Sequence, residues 1–131
     1  MTETGFVPKA RYMMRALELA AQAAAMGEVP VGAVVVQKST GRIIGEGYNR
    51  READRSPLAH AEIMAIDAAS RTLGGWRLLD SALYVTLEPC PMCAGAILHA
   101  RLEQVIYGTA DPKGGAVDSV EQLFTLPYNW T

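Results

Sequence analysis

The chain has 131 residues, with 12 Lys and Arg against 14 Asp and Glu, for a formal net charge of −2. Half of the residues are hydrophobic and a fifth are charged, the balance of one globular domain over residues 1–131 rather than of a disordered chain. No run reaches the ~18 uncharged apolar residues of a membrane-spanning helix, and the slight acidic excess argues against sequence-blind coating of DNA.

The first residues, MTETGFVPKAR, hold no apolar stretch ahead of their charges, so no secretory signal and a cytoplasmic, reducing compartment are expected. Residues 8–25 predict a first helix: Pro8 suits its first turn, and Met13, Leu17, Ala20 and Ala24 recur at helical spacing. Gly27 is placed to end it. The run Val31–Gln37 predicts a buried strand. After the turn residues Ser39, Thr40 and Gly41, a second strand over Arg42–Tyr48 completes a hairpin. Gly45 and Gly47 in that strand leave room for a close backbone approach.

A polar loop with three arginines, 49–57, leads to a predicted helix over Leu58–Thr72, closed by Gly74 and Gly75. A third strand follows at Ala82–Leu87, then a helix at Pro89–Ala100 and a fourth strand at Glu103–Tyr107. A short helix at Ser119–Phe124 precedes the last residues, PYNWT. Strands alternating with helices after a hairpin predict an α/β fold: a three-layer α/β/α sandwich around a mixed sheet.

Cys90 and Cys93 are the two cysteines of the chain. Their spacing sets both sulfurs on one face of a helix's first turn, where the dipole and free N–H groups favour thiolates. Two thiolates are half of a zinc site. His99 is rotated by about 240° from Cys93 at ~100° per residue and points away. His60 opens another helix at the same end of the sheet and supplies the third donor. Three donors without a fourth leave a coordination position for water, the mark of a catalytic centre. Glu62, in the same turn as His60, is placed to move that water's proton. His-Ala-Glu with Pro-Cys-Pro-Met-Cys matches the H-x-E…P-C-x-x-C pattern of zinc nucleobase deaminases.

Taken singly, these residues have other readings: a Cys-x-x-Cys dithiol oxidoreductase, a structural zinc module, a capping histidine, a solvated glutamate. A redox dithiol gives no reason for H-x-E on a neighbouring helix, which favours the hydrolytic centre with one Zn²⁺ per chain.

The segments GEVPVGAVVV (27–36), GEGYNR (45–50), HAEIMAI (60–66), WRLLD (76–80), LYVTLEPCPMCAGAI (83–97) and VIYGTADPKGGA (105–116) resemble the cytidine deaminase-like superfamily, and within it the bacterial tRNA-specific adenosine deaminases. The resemblance implies hydrolysis of adenosine to inosine at the wobble position of a tRNA anticodon, by a homodimer. It carries His60, Cys90 and Cys93 onto the zinc ligands and Glu62 onto the proton shuttle. Asn49 falls on the residue that hydrogen-bonds the flipped-out base, and Val31 and Leu87 on apolar walls of the base pocket. The backbone of Ala61 falls at the base edge, and Asp111 on a contact to the adjacent nucleotide. Arg50, Arg51, Arg55 and Lys113 are candidates for phosphate contacts in the anticodon loop; Arg51 stands where the family often has proline. Such deaminases continue with a further strand and helix, so the C-terminal part is expected to be shortened here. Deamination of a free base or nucleoside (guanine, cytosine, cytidine) by the same centre is the alternative substrate reading.

Overall fold

A computed structural model of the chain describes residues 9–125. Its elements are α1 (Ala10–Ala25), β1 (Gly32–Gln37), β2 (Ile43–Tyr48), α2 (Ala61–Leu73), β3 (Ser81–Leu87), α3 (Pro91–His99), β4 (Gln104–Thr109) and a 3₁₀ turn at Leu123–Thr125. The sheet order is β2-β1-β3-β4. β1 is antiparallel to both its neighbours, while β3 and β4 are parallel. β2 and β3 therefore run in the same direction on either side of β1, and the helices that follow them start at the same end of the sheet.

Alternation along β1 separates two apolar cores. Ala33 and Val35 face α2 and α3 with Ile44, Leu83, Val85 and Ile97. Val34 and Val36 face α1 with Tyr12, Leu19, Ala82 and Tyr84. This is the expected sandwich with a helix layer on each face.

Two close approaches set the spacing of the layers. A Cβ at Gly32 would lie 2.0 Å from the Ala16 carbonyl oxygen of α1. On the other face, Cβ atoms at Gly45 and Gly47 would lie 2.3 Å and 2.4 Å from the carbonyl oxygens of Ala65 and Ala61. The small residues Ala61, Ala65 and Ala69 form the buried stripe of α2, so this helix rests on the backbone of β2. What the glycines of the second strand admit is α2.

Several boundaries depart from the sequence reading. α1 begins at Ala10, capped by Lys9, and Pro8 lies outside the described residues. Its buried face is Tyr12, Ala16, Leu19, Ala20 and Ala23; of the expected Met13–Leu17–Ala20–Ala24 stripe Ala20 is buried and Met13 half-buried, while Ala24 is exposed and Leu17 is 54 % exposed. A helix so rich in alanine is apolar around much of its surface, and the contact with Gly32 decides which side is buried. Gly27 does close α1, at φ 79°. It forms a Schellman end in which the Gly27 N–H donates to the Ala24 carbonyl and the Glu28 N–H to that of Ala23, both at 3.0 Å. α2 and α3 start three and two residues later than the predicted Leu58 and Pro89. The helix predicted at Ser119–Phe124 is replaced by a turn and the 3₁₀ segment.

The Gly47 contact gives a direct stability test. Gly47→Ala is expected to lower unfolding stability by about 2–3 kcal/mol through overpacking. Gly75→Ala, where a Cβ meets nothing within 4 Å, is expected to stay within about 0.5 kcal/mol of the parent in urea denaturation.

Candidate active site

The starts of α2 and α3 meet above the start of β1. His60 is the N-cap of α2 and Cys90 the N-cap of α3, both with extended backbone, and neither side chain makes a capping hydrogen bond. They turn to each other. His60 Nδ1 lies 3.6 Å from Cys90 Sγ and 3.5 Å from Cys93 Sγ. The three donor atoms fall within 4.8 Å of one another. With Zn–N near 2.0–2.1 Å and Zn–S near 2.3 Å, a tetrahedral angle sets N and S about 3.6 Å apart. The donors are therefore spaced as zinc requires, and their identity, one imidazole and two cysteine sulfurs, fits zinc chemistry.

The two sulfurs are joined by one hydrogen bond. The Cys93 thiol donates to Cys90, which brings Cys90 down to about 5 against the cost of burial, with backbone N–H groups and His60 assisting. The same bond, together with burial, drives the Cys93 thiol far up. Glu62, in the first turn of α2, is 4 % exposed. Burial first, then the charge of Cys90, pushes its carboxyl up to about 7. A carboxyl that titrates near neutrality is suited both to take a proton and to return it.

His60, Glu62 and Cys90 form the floor of a cavity of about 230 Å³. Its walls include Asn49, Val31, Ala61, Leu87 and Asp111, together with Val29, Glu88 and Arg51. That volume is below the ~300–1,000 Å³ of sites for drug-sized ligands, and suits one base better than a whole nucleotide. Cys93 lies behind the floor, fully buried.

The basic candidates separate. Arg51 lines the cavity. Arg50 turns to the outer edge of β2, where it donates to the Tyr48 hydroxyl and to Asp54, each at 3.0 Å. Arg55 is exposed at φ 50°. Lys113 is exposed too, and its backbone N–H donates to Asp111 Oδ1 at 3.1 Å. Arg50, Arg55 and Lys113 are thus outside the cavity lining. His99, at the far end of α3, is exposed and takes no part in the centre.

Sequence reasoning missed two buried carboxylates, Glu28 and Glu88. Glu88 Oε1 accepts the Asp111 N–H at 3.0 Å, and Oε2 accepts those of Val117, Asp118 and Ser119 at 3.1, 2.7 and 2.9 Å. The Ser119 hydroxyl adds a further bond. Burial alone would raise this carboxyl, but the donors outweigh it and hold Glu88 near 2. A Cβ at Gly115 would come 2.3 Å from Glu88 Cδ, so the loop around Asp111 is wrapped onto this one side chain. The available signal was a charged residue directly between a buried strand and a proline.

Residues 8–109 match the family model described as the cytidine and deoxycytidylate deaminase zinc-binding region. The tRNA-specific adenosine deaminase of Bacillus subtilis is 49 % identical over 112 residues, covering 86 % of this chain and 68 % of that protein. That of Haemophilus influenzae is 54 % identical over 113 residues, covering 86 % and 65 %. The chain thus spans about two thirds of the length of the curated relatives it matches. Among solved structures, one from a study of A-to-I editing by tRNA:A34 deaminases at the wobble position superposes with a TM-score of 0.86 at 47 % identity, over 90 % of this chain and 89 % of that one. Guanine deaminase from Bacillus subtilis superposes at 0.74 with 33 % identity, over 94 % and 85 %. With three metal donors at zinc spacing, a buried glutamate beside them and this agreement along its length, the chain belongs to the zinc-binding cytidine and deoxycytidylate deaminase family.

Proposed function

We propose that the chain, as one domain over residues 1–131, hydrolyses adenosine to inosine at the wobble position of a tRNA anticodon loop. The observation that carries this reading is a buried glutamate beside a three-donor zinc centre, at the floor of a base-sized cavity walled by an asparagine. Zinc held by His60, Cys90 and Cys93 supplies Lewis acidity, which makes a water nucleophilic near neutral pH. The residues of the chain do the rest. Glu62 takes one proton of the water and passes it to N1 of the base. The water oxygen bonds to C6, its second proton goes to the exocyclic amine, the C6–N bond breaks, and ammonia leaves.

Asn49 offers the base edge both a donor and an acceptor, the Ala61 backbone lies beside it, and Val31 and Leu87 supply apolar contact. Because C6 is out of reach in a stacked base, the nucleotide enters flipped out. Asp111 and Arg51 then stand at the mouth for the neighbouring nucleotide and the phosphates. A tRNA substrate supports a cytoplasmic location, and the resemblance implies a homodimer. No helix among the described residues is long and apolar enough to cross a membrane.

Deamination of free guanine is the second reading, favoured by the likeness to a guanine deaminase. The higher identity and TM-score of the tRNA:A34 deaminase structure support the RNA substrate instead. An anticodon stem-loop with adenosine at the wobble position should yield inosine, read by mass of the digested nucleosides, while free guanine and cytosine stay unchanged. Turnover of a free base alone would contradict the proposal. Glu62→Ala is expected to keep its zinc and lose turnover by about 10³-fold, within the usual range for a proton-transfer group. Cys93→Ala is expected to lose the metal, with elemental analysis falling from one zinc per chain to near none.

A further inference from the structure

Glu28 is the last residue of the Schellman end of α1 and is 6 % exposed. Its Oε2 accepts the Ala53 N–H at 2.8 Å and its Oε1 the Glu52 N–H at 3.1 Å. Those amides belong to the loop at 49–57, which has neither helix nor strand of its own to hold it. The same short stretch of chain laces to the start of that loop. The Val31 carbonyl accepts the Asn49 N–H at 3.0 Å, and the Val29 carbonyl accepts Asn49 Nδ2–H at 3.3 Å. Asn49 Oδ1 in turn accepts the Arg51 N–H at 3.2 Å. The Asn49 amide is thereby oriented from both ends, keeping one N–H and one lone pair for a ligand.

We propose that Glu28 is a positioning residue for base recognition: by holding the Glu52 and Ala53 amides, it sets Asn49 and Arg51 where a flipped base meets them. This rests on the reading of the cavity as a base site. Among the described residues the Glu28 carboxylate bonds the 49–57 loop and not α2 or α3, whose starts carry His60, Glu62, Cys90 and Cys93. The carboxylate's own bonds thus reach the recognition loop, which in turn meets the residue before His60 through the Arg50 N–H and the Ala59 carbonyl at 2.9 Å. The carboxylate's chemistry is specific. Gln keeps the shape but turns an NH₂ toward an amide N–H, donor against donor. Asp keeps both acceptors on an arm one methylene shorter.

The test uses the zinc-loaded full chain with Glu28→Gln and Glu28→Asp. On the adenosine stem-loop, Glu28→Gln is expected to raise KM by about 10-fold or more while kcat stays within about threefold, the signature of lost ground-state positioning. Zinc content should stay at the parent value, and Glu28→Asp should fall between the two. Amide hydrogen exchange should quicken at residues 50–55 and stay unchanged in α2. Glu46→Gln, which breaks the paired contacts of Glu46 with Arg15 at 2.8 and 2.9 Å, is the control: it lowers Tm without moving KM. Parent KM with parent exchange in Glu28→Gln would overturn the proposal. So would zinc loss with exchange quickened throughout, or failure of both variants to fold, since Glu28 would then support the whole domain. Should the parent convert no RNA adenosine, the substrate reading fails by itself. Exchange then decides the anchoring: quickening confined to 50–55 supports it, and unchanged or chain-wide exchange overturns it.

Discussion

The site depends on two helices beginning at one point. β2 and β3 run the same way with β1 between them, so α2 and α3 start at the same end of the sheet. Their first residues still have to come within metal-ligand reach across the width of a strand. The glycine floor makes this possible: with no Cβ at positions 45 and 47, α2 settles directly onto β2. His60 is thereby brought to 3.5 and 3.6 Å from the two sulfurs. Both helices give up the side-chain cap that would ordinarily stabilise such ends. The N-cap positions are occupied by metal donors instead, so local helix stability is sacrificed to the shared centre.

Around this fixed centre the walls are built differently. The floor comes from helix starts and the rim largely from loops, the usual division between reaction and recognition. Loops of this kind carry many backbone amides that no ladder satisfies. Here a buried acid takes part of each set: Glu88 accepts four amides of the 110–119 loop and Glu28 two of the 49–57 loop. An acid that accepts several N–H groups orders a loop without enlarging the apolar core, which helps a small domain hold a precise rim.

The metal centre was legible because its donors are chemically distinctive and their spacing maps onto helix starts. His60, Glu62, Cys90 and Cys93 needed only the H-x-E and C-x-x-C patterns, and the strand–helix alternation placed them at one end of a mixed sheet. The buried side of α1 was not legible, since in an alanine-rich helix Leu17 and Leu19 look alike until Gly32 selects one face. The helix starts fall later than the sequence suggests because the polar and proline residues before α2 and α3 also suit a first turn. The turn at Ser119 escaped for another reason: its amides are claimed by Glu88, about thirty residues earlier in the chain. Glu28 and Glu88 act only through contacts at such separations, and local periodicity does not register them.

X-ray absorption at the zinc edge of the purified chain tests the central claim most directly. Two sulfurs near ~2.3 Å and light N or O donors near ~2.0–2.1 Å would bear out the imidazole and paired thiolates. A shell of four sulfurs, or zinc with oxygen donors only, would contradict a centre made by His60, Cys90 and Cys93.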